Sequence, residues 1–144
     1  MFMGEFHHNI DDKSRIVLPS KFRDELGESF VVTRGLDGCL FVYSKEEWVN
    51  IVNRLKKLPF TKKDARTFLR FFLSGATECQ FDKQGRVALP NTLVNYAELK
   101  KECIIIGVND RLEIWSKEIF EAYFNQNEKD VSDLSEKLFD NVEE

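Results

Sequence analysis

Polar and apolar positions along the chain fall into short segments of two different periods. Residues 4–10 and 76–81 read as extended, and each leads into a polar turn. After the turn comes a short β-branched or apolar stretch that ends in Leu18-Pro19 or Leu89-Pro90. Each unit therefore reads as a tight hairpin whose second strand is stopped by proline, which cannot donate to a ladder. Ser20 and Asn91 follow as candidate N-caps of short helices containing Phe22 and Leu26, or Leu93 and Tyr96. Two more strands come next in each case, over 30–33 and 39–43 and over 103–108 and 112–115. The turns that join them, Gly35-Leu36-Asp37-Gly38 and Asn109-Asp110, are rich in residues that tolerate positive φ.

The period then changes to that of a helix. Ser44-Lys45-Glu46-Glu47 has the form of a capping box and opens a helix with Trp48, Ile51, Val52 and Leu55 on one face. After Pro59, Thr61 is the expected cap of a helix reaching Phe72, with Ala65, Phe68, Leu69 and Phe72 as an apolar stripe. That spacing points to core or subunit contact and not to a ligand pocket. Ser116 opens the corresponding later helix, carrying Ile119, Phe120, Tyr123 and Phe124. Beyond it only Val131, Leu134, Leu138 and Phe139 offer apolar surface, so the end of the chain reads as a loosely held or frayed helix.

These segments form an internal repeat. The ten residues 10–19 align without gaps with 81–90, 71 positions later, and share Asp, Arg, Leu and Pro at equal spacing. A second match, displaced by one more residue, joins 40–46 to 112–118. The expected organisation is a first half over 1–60, a connecting helix over 61–75, a second half over 76–125 and an acidic tail over 126–144.

Composition places the 144 residues among globular proteins, at 42% hydrophobic and 32% charged. No apolar run reaches the ~18 to 20 residues needed to cross a bilayer, and the first residues lack a signal-peptide layout, so a cytoplasmic location is expected. Cys39, Cys79 and Cys103 are an odd number without a C-x-x-C pair and read as buried small apolar residues. His7 and His8 are neighbours in an extended segment and so point to opposite faces, which suits polar strand residues better than a metal site. No cofactor or metal is implied.

The net charge of −4 argues at first against a nucleic-acid partner. Its distribution alters that picture, because the acidic residues concentrate after position 120 while Arg54, Lys56, Lys57, Lys62, Lys63, Arg66 and Arg70 cluster against Asp64 alone. Screening acts over roughly 8 Å at physiological salt, so a local positive region attracts phosphate whatever the total. Arg66 and Arg70 share a helix face and read first as a solvated pair.

Nothing in the sequence carries out chemistry. There is no G-x-S-x-G, Walker loop, H-E-x-x-H or glycine-rich strand-to-helix turn, and an enzyme is not expected. Arg15 and Arg86 admit two readings: each pairs with Asp11 or Asp82 across its own turn, or each projects a guanidinium toward a nucleic-acid groove with Lys13, Lys83 or Gln84 beside it. A guanidinium that meets guanine O6 and N7 with two parallel hydrogen bonds discriminates by about 1 to 3 kcal/mol.

The same residues resemble the MraZ family. Met3-Gly4-Glu5-Phe6, Asp11-Asp12-Lys13-Ser14-Arg15, Arg34-Gly35-Leu36-Asp37, Lys62-Lys63-Asp64-Ala65-Arg66, Ser74-Gly75-Ala76, Asp82-Lys83-Gln84-Gly85-Arg86 and Glu113-Ile114-Trp115 occur in family order, over most of the chain. The resemblance implies an α+β fold of two pseudo-symmetric swapped-hairpin β-barrel halves of AbrB type with flanking helices. It also implies a ring-like homo-oligomer, nucleoid-associated, that binds double-stranded DNA carrying G-rich direct repeats near division and cell-wall genes and regulates their transcription. Position by position it makes Arg15 and Arg86 the readers, with Lys13 and Lys83 in support, and leaves no place for a membrane or a small-molecule substrate. Ser14 departs from the family's usual glycine, which Gly85 keeps in the second copy. If that position needs φ > 0, serine costs about 1 kcal/mol there. A ring-forming scaffold or antitoxin-like module that binds protein partners is the alternative the repeat equally allows.

Overall fold

A computed structural model describes residues 1–140 of the chain. The first repeat supplies strands β1 (Phe2–Asn9) and β2 (Arg15–Val17), helix α1 (Ser20–Leu26), strands β3 (Ser29–Arg34) and β4 (Leu40–Ser44), and helices α2 (Lys45–Leu55) and α3 (Lys63–Ser74). The second supplies β5 (Thr77–Gln80), β6 (Arg86–Ala88), α4 (Asn91–Tyr96), β7 (Glu102–Asn109), β8 (Arg111–Ser116), α5 (Lys117–Asn127) and α6 (Val131–Phe139), with one 3₁₀ turn at Glu128–Asp130 before α6. The two series match element for element.

The repeats do not fold side by side; they exchange strands. All pairings are antiparallel, and the large sheet runs β1-β7-β8-β4-β3-β5. Thus β1 of the first repeat lies on β7 of the second along eight residues, and β5 of the second lies on β3 of the first. A separate two-stranded ribbon joins β2 to β6. Two of the four pairings between repeats join equivalent strands and are centred on equivalent residues, Phe41 opposite Glu113 and Ile16 opposite Val87. A pseudo-twofold axis therefore relates the halves, and the fold is the α+β arrangement of tandem swapped-hairpin halves that the resemblance implies.

Side chains alternate across the sheet with period two and feed two cores. On one face Phe30, Val32, Leu40, Val42, Ile105, Leu112 and Ile114 pack with Ile16, Leu18, Val87 and Leu89 of the ribbon and with Phe22 and Leu93 of the short helices. On the other face Phe41, Tyr43, Ile104 and Trp115 meet α2, α3 and α5 through Trp48, Phe72 and Phe120. The stripe on α3 is therefore core: Phe72 stacks on Trp48 and Phe68 at 5.6 and 5.5 Å between ring centres. Strand β3 also holds the end of this helix, since Thr33 Oγ1 donates to the Phe72 carbonyl at 2.6 Å and Arg34 Nη1 to that of Phe71 at 2.8 Å. Those carbonyls have no partner within the helix, so the two side chains satisfy them.

Three expected caps are corrected. Ser20 and Asn91 are the first helical residues, and the N-caps are Pro19 and Pro90, held extended at ψ 141° and 146°. Each proline carbonyl accepts the N–H groups of the third and fourth residues beyond it, Phe22 and Arg23 in one case and Leu93 and Val94 in the other. Proline suits the position because it needs no partner for an N–H of its own. Thr61 likewise gives way to Lys62 as N-cap of α3. In contrast, the Ser44 and Ser116 hydroxyls accept from Glu47 N and Ile119 N, as their spacing predicts.

All three cysteines are buried and free. Burial pushes the thiols of Cys79 and Cys103 up to about 11, and raises that of Cys39 as well. His7 is exposed with its Nε2 2.8 Å from Glu5 Oε2, as befits a polar strand residue. Among the described residues no helix is long and apolar enough to cross a membrane. Helix α6 forms, with Val131, Leu134, Leu138 and Phe139 all exposed; residues 141–144 of the expected tail lie outside the described residues.

Candidate nucleic-acid interface

The two hairpin turns are built atom for atom alike. In the first, Asp11 Oδ1 accepts the backbone N–H groups of Lys13 and Arg15, both at 2.9 Å, and Oδ2 accepts Arg15 Nε at 2.7 Å. In the second, Asp82 Oδ1 accepts Gln84 N and Arg86 N at 2.9 Å, and Oδ2 accepts Arg86 Nε at 2.7 Å. Two backbone bonds close each turn: Asp11 N donates to the Arg15 carbonyl and Ser14 N to that of Asp11 in the first, Asp82 N to the Arg86 carbonyl and Gly85 N to that of Asp82 in the second. Aspartate suits the corner because a short carboxylate reaches its own backbone two residues on. The Arg15 backbone N–H, with its guanidinium and the Lys13 N–H, holds the Asp11 carboxyl below its ordinary value against a smaller opposing effect of desolvation; Arg86 and Gln84 do the same for Asp82.

Both readings of the arginines thus meet in one geometry. Each guanidinium is paired with its own aspartate, and the pairing runs through Nε. No hydrogen bond from either residue's Nη1 or Nη2 forms among the described residues. The aspartate fixes the side chain's direction and leaves the two-nitrogen edge of the guanidinium unengaged.

The ribbon then brings the two arginines together. Arg15 stands opposite Ala88 and Arg86 opposite Val17, with the buried pair Ile16 and Val87 between them. Residues two apart on a strand share a face, so Arg15 and Arg86 lie on the same side of the ribbon, diagonal to one another at roughly 7 to 8 Å. Ile16 and Val87 take the opposite side and anchor the ribbon to the core at 0% and 1% exposure. Two bonds tie the tips across, Leu89 N to the Ser14 carbonyl at 2.8 Å and Leu18 N to that of Gly85 at 3.5 Å.

The chain matches the family model for MraZ protein, antitoxin-like by its description, twice, over residues 1–71 and 72–142. It belongs to the MraZ family. It is 56% identical over 140 residues to the transcriptional regulator MraZ of Desulforamulus reducens, covering 97% of this chain and 99% of that one. It is 54% identical over 140 residues to the transcriptional regulator MraZ of Ligilactobacillus salivarius, covering 97% and 98%. Each family match spans one run of hairpin, short helix, two strands and helices, so the two MraZ units are the two repeats that exchange strands.

Of the remaining residues singled out from the sequence, Lys13 and Lys83 are both exposed on the turns. They are not equivalent in the repeat: Lys13 corresponds to Gln84 and Lys83 to Asp12. Arg66 does not stand free on a solvated face, because its Nη1 donates to the carbonyls of Phe60 and Thr61 at 3.1 and 3.0 Å. Ser14 has φ 59° and Gly85 φ 75°, so the position does require the left-handed region, and serine adopts it at a cost. Sequence reasoning passed over Arg23, whose guanidinium rests on Gly85. The only signal was the repeat itself, which sets Arg23 against Val94; that α1 packs on the other repeat's hairpin is a consequence of strand exchange and is not visible in local pattern.

Proposed function

We propose that this chain is a transcription regulator that binds double-stranded DNA through the β2–β6 ribbon, with Arg15 and Arg86 reading base edges and Lys13 and Lys83 holding phosphates. The observation that carries the reading is the placement of two guanidinium groups on one face of one ribbon, each aimed by a carboxylate that occupies only Nε. A two-stranded ribbon fits the major groove, about 12 Å wide. Bases on one strand rise about 3.4 Å apart, so two long side chains rooted on strand positions roughly 7 to 8 Å apart can reach bases within one short site. The names of the relatives agree with a regulator and not with an enzyme.

Four cationic side chains per chain neutralise few phosphates. Assembly of several chains into a ring raises apparent affinity by about 10² to 10⁴ when the binding sites are spaced to match. The targets are G-rich direct repeats upstream of division and cell-wall genes, and the working location is the cytoplasm, at the nucleoid. A second reading, an antitoxin-like scaffold that binds protein partners, is favoured by the exposed apolar side of α6.

The test is a salt-titrated shift assay on G-rich direct-repeat duplex with the Arg15→Ala, Arg86→Ala double variant, beside sedimentation of the free protein. The expected result is loss of DNA binding with sedimentation unchanged. Equal affinity and an equal salt slope for the double variant would show that the ribbon is not the reader and would leave the scaffold reading standing.

A further inference from the structure

The two tips of the ribbon share their turn geometry and differ in their charge. At the first, Asp11 and Asp12 cancel Lys13 and Arg15. At the second, Lys83, Arg86 and the neighbouring Arg23 exceed Asp82 by two. Arg23 belongs to α1, in the last turn of that helix, and reaches the second tip because the hairpins are exchanged. Its seat is the bare backbone of Gly85: a Cβ at that residue would overlap Arg23 Nη1 and lie 2.6 Å from Cζ and 3.3 Å from Cδ. The first tip lacks such a seat, since Ser14 carries a side chain there and Val94 stands at the position equivalent to Arg23.

The charge on Arg23 is not spent inside the protein. It forms no ion pair or side-chain hydrogen bond among the described residues, and the Glu25 carboxylate on the same helix is taken by the Met1 amino group at 3.0 Å. The guanidinium of a half-buried arginine thus lies against the residue next to Arg86, held in place by packing on backbone and not by a carboxylate. A planar guanidinium fixed in this way suits a phosphate, which it meets with two parallel hydrogen bonds.

We infer that Arg23 is a third DNA-contacting guanidinium, clamping a backbone phosphate beside the Arg86 hairpin, and that this clamp gives the pseudo-symmetric ribbon one direction on the duplex. The inference rests on the DNA-binding reading above. Duplex DNA has a local twofold of its own in its backbone, so a ribbon with two equal tips docks equally well either way round. Phosphate contacts set register and orientation, and a clamp at one tip alone removes that degeneracy. Directionality is what a ribbon needs if it is to meet successive direct repeats in the same sense.

The experiment compares wild type with Arg23→Gln, Arg23→Lys and Arg86→Ala on one G-rich direct-repeat duplex, by salt-titrated affinity and phosphate-ethylation interference, with melting of each free protein. Arg23→Gln is expected to bind several-fold more weakly at low salt and to lower the slope of log K against log salt by about 0.9 for each clamp lost. It should also erase interference on one side of each repeat only. Arg23→Lys should keep the slope and the one-sided interference, while Arg86→Ala should abolish binding. If Arg23→Gln alters melting alone, with wild-type slope and interference, the residue is structural and the inference is overturned while the DNA-binding reading stands. If wild type itself does not bind the duplex, the DNA-binding reading fails first and takes the clamp with it.

Discussion

Replacing Ser14 by glycine should stabilise the protein, and the structure sets the size of the effect. Ser14 sits at φ 59°, where its Cβ crowds the following carbonyl oxygen. That conformation costs a residue with a side chain about 1 to 2 kcal/mol. Glycine removes the crowding but loses more freedom on folding, roughly 0.5 to 1 kcal/mol. Nothing else enters the balance, because the Ser14 hydroxyl makes no hydrogen bond among the described residues; only its backbone does, to Asp11 and Leu89. The net gain is about 0 to 1.5 kcal/mol, centred on ~0.75, and in a chain of this size each kcal/mol moves Tm by roughly 2 to 4 °C. The reverse exchange, Gly85→Ser, imposes the same strain at φ 75° and also displaces Arg23, so it should cost about 1 to 3 kcal/mol. Thermal melting by circular dichroism at one fixed protein concentration measures both, since association would otherwise shift the apparent midpoint. A Ser14→Gly protein that melts below the wild-type temperature would refute the assignment of strain to this turn.

Two further outcomes follow from the same geometry. Ile16→Ala should destabilise by about 2 to 5 kcal/mol, because Ile16 is fully buried at the centre of the ribbon and leaves a cavity facing Val87; urea unfolding gives the value, and a loss under about 1 kcal/mol would mean the ribbon is not anchored there. The depressed Asp11 and Asp82 carboxyls contribute stability that is complete above their ordinary value of 3.8 and is lost as pH falls through the lower folded values. The Asp11→Asn, Asp82→Asn double variant should therefore show a flatter acid limb in a pH series of melting temperatures than wild type, and an unchanged limb would remove these two residues from the account.

Much of the fold was legible because local chemistry decided it. The Asp-to-Arg turns, the prolines that end β2 and β6, and the serines before α2 and α5 each act within a few residues of themselves, and each stands where its spacing predicts. The caps at Ser20, Asn91 and Thr61 were misplaced by one residue because a polar side chain is the usual cap, whereas here an extended proline or lysine fills the position. Strand partnership was not legible in the same way. Strand β1 presents one alternation of side chains whether it pairs within its own repeat or with β7, and only the family resemblance pointed to exchange. The site followed the same division. Arg15 and Arg86 were visible as repeated residues, but their shared face depends on the pairing of β2 with β6, and Arg23 depends on α1 reaching across to Gly85.

Strand exchange also explains why the two arginines keep a defined separation. Strands β2 and β6 are three residues each, and a two-stranded ribbon of that length is at best marginal alone in water. It stands because Ile16, Leu18, Val87 and Leu89 are buried beneath it, each fully buried side chain contributing about 1.5 to 3 kcal/mol. Half of those residues come from each repeat, and the sheet they pack on is itself interleaved from both. Separating the repeats would leave β7 without β1 along eight residues and strip Ile16 of its partner Val87. The distance between the guanidinium groups is therefore a property of the whole chain and not of either hairpin. What the pairing leaves free to differ is the surface around each tip: Ile16 and Val87 must both be apolar to hold the ribbon, but Arg23 and Val94 need not match, and a polarised binding surface can sit on a nearly symmetric scaffold.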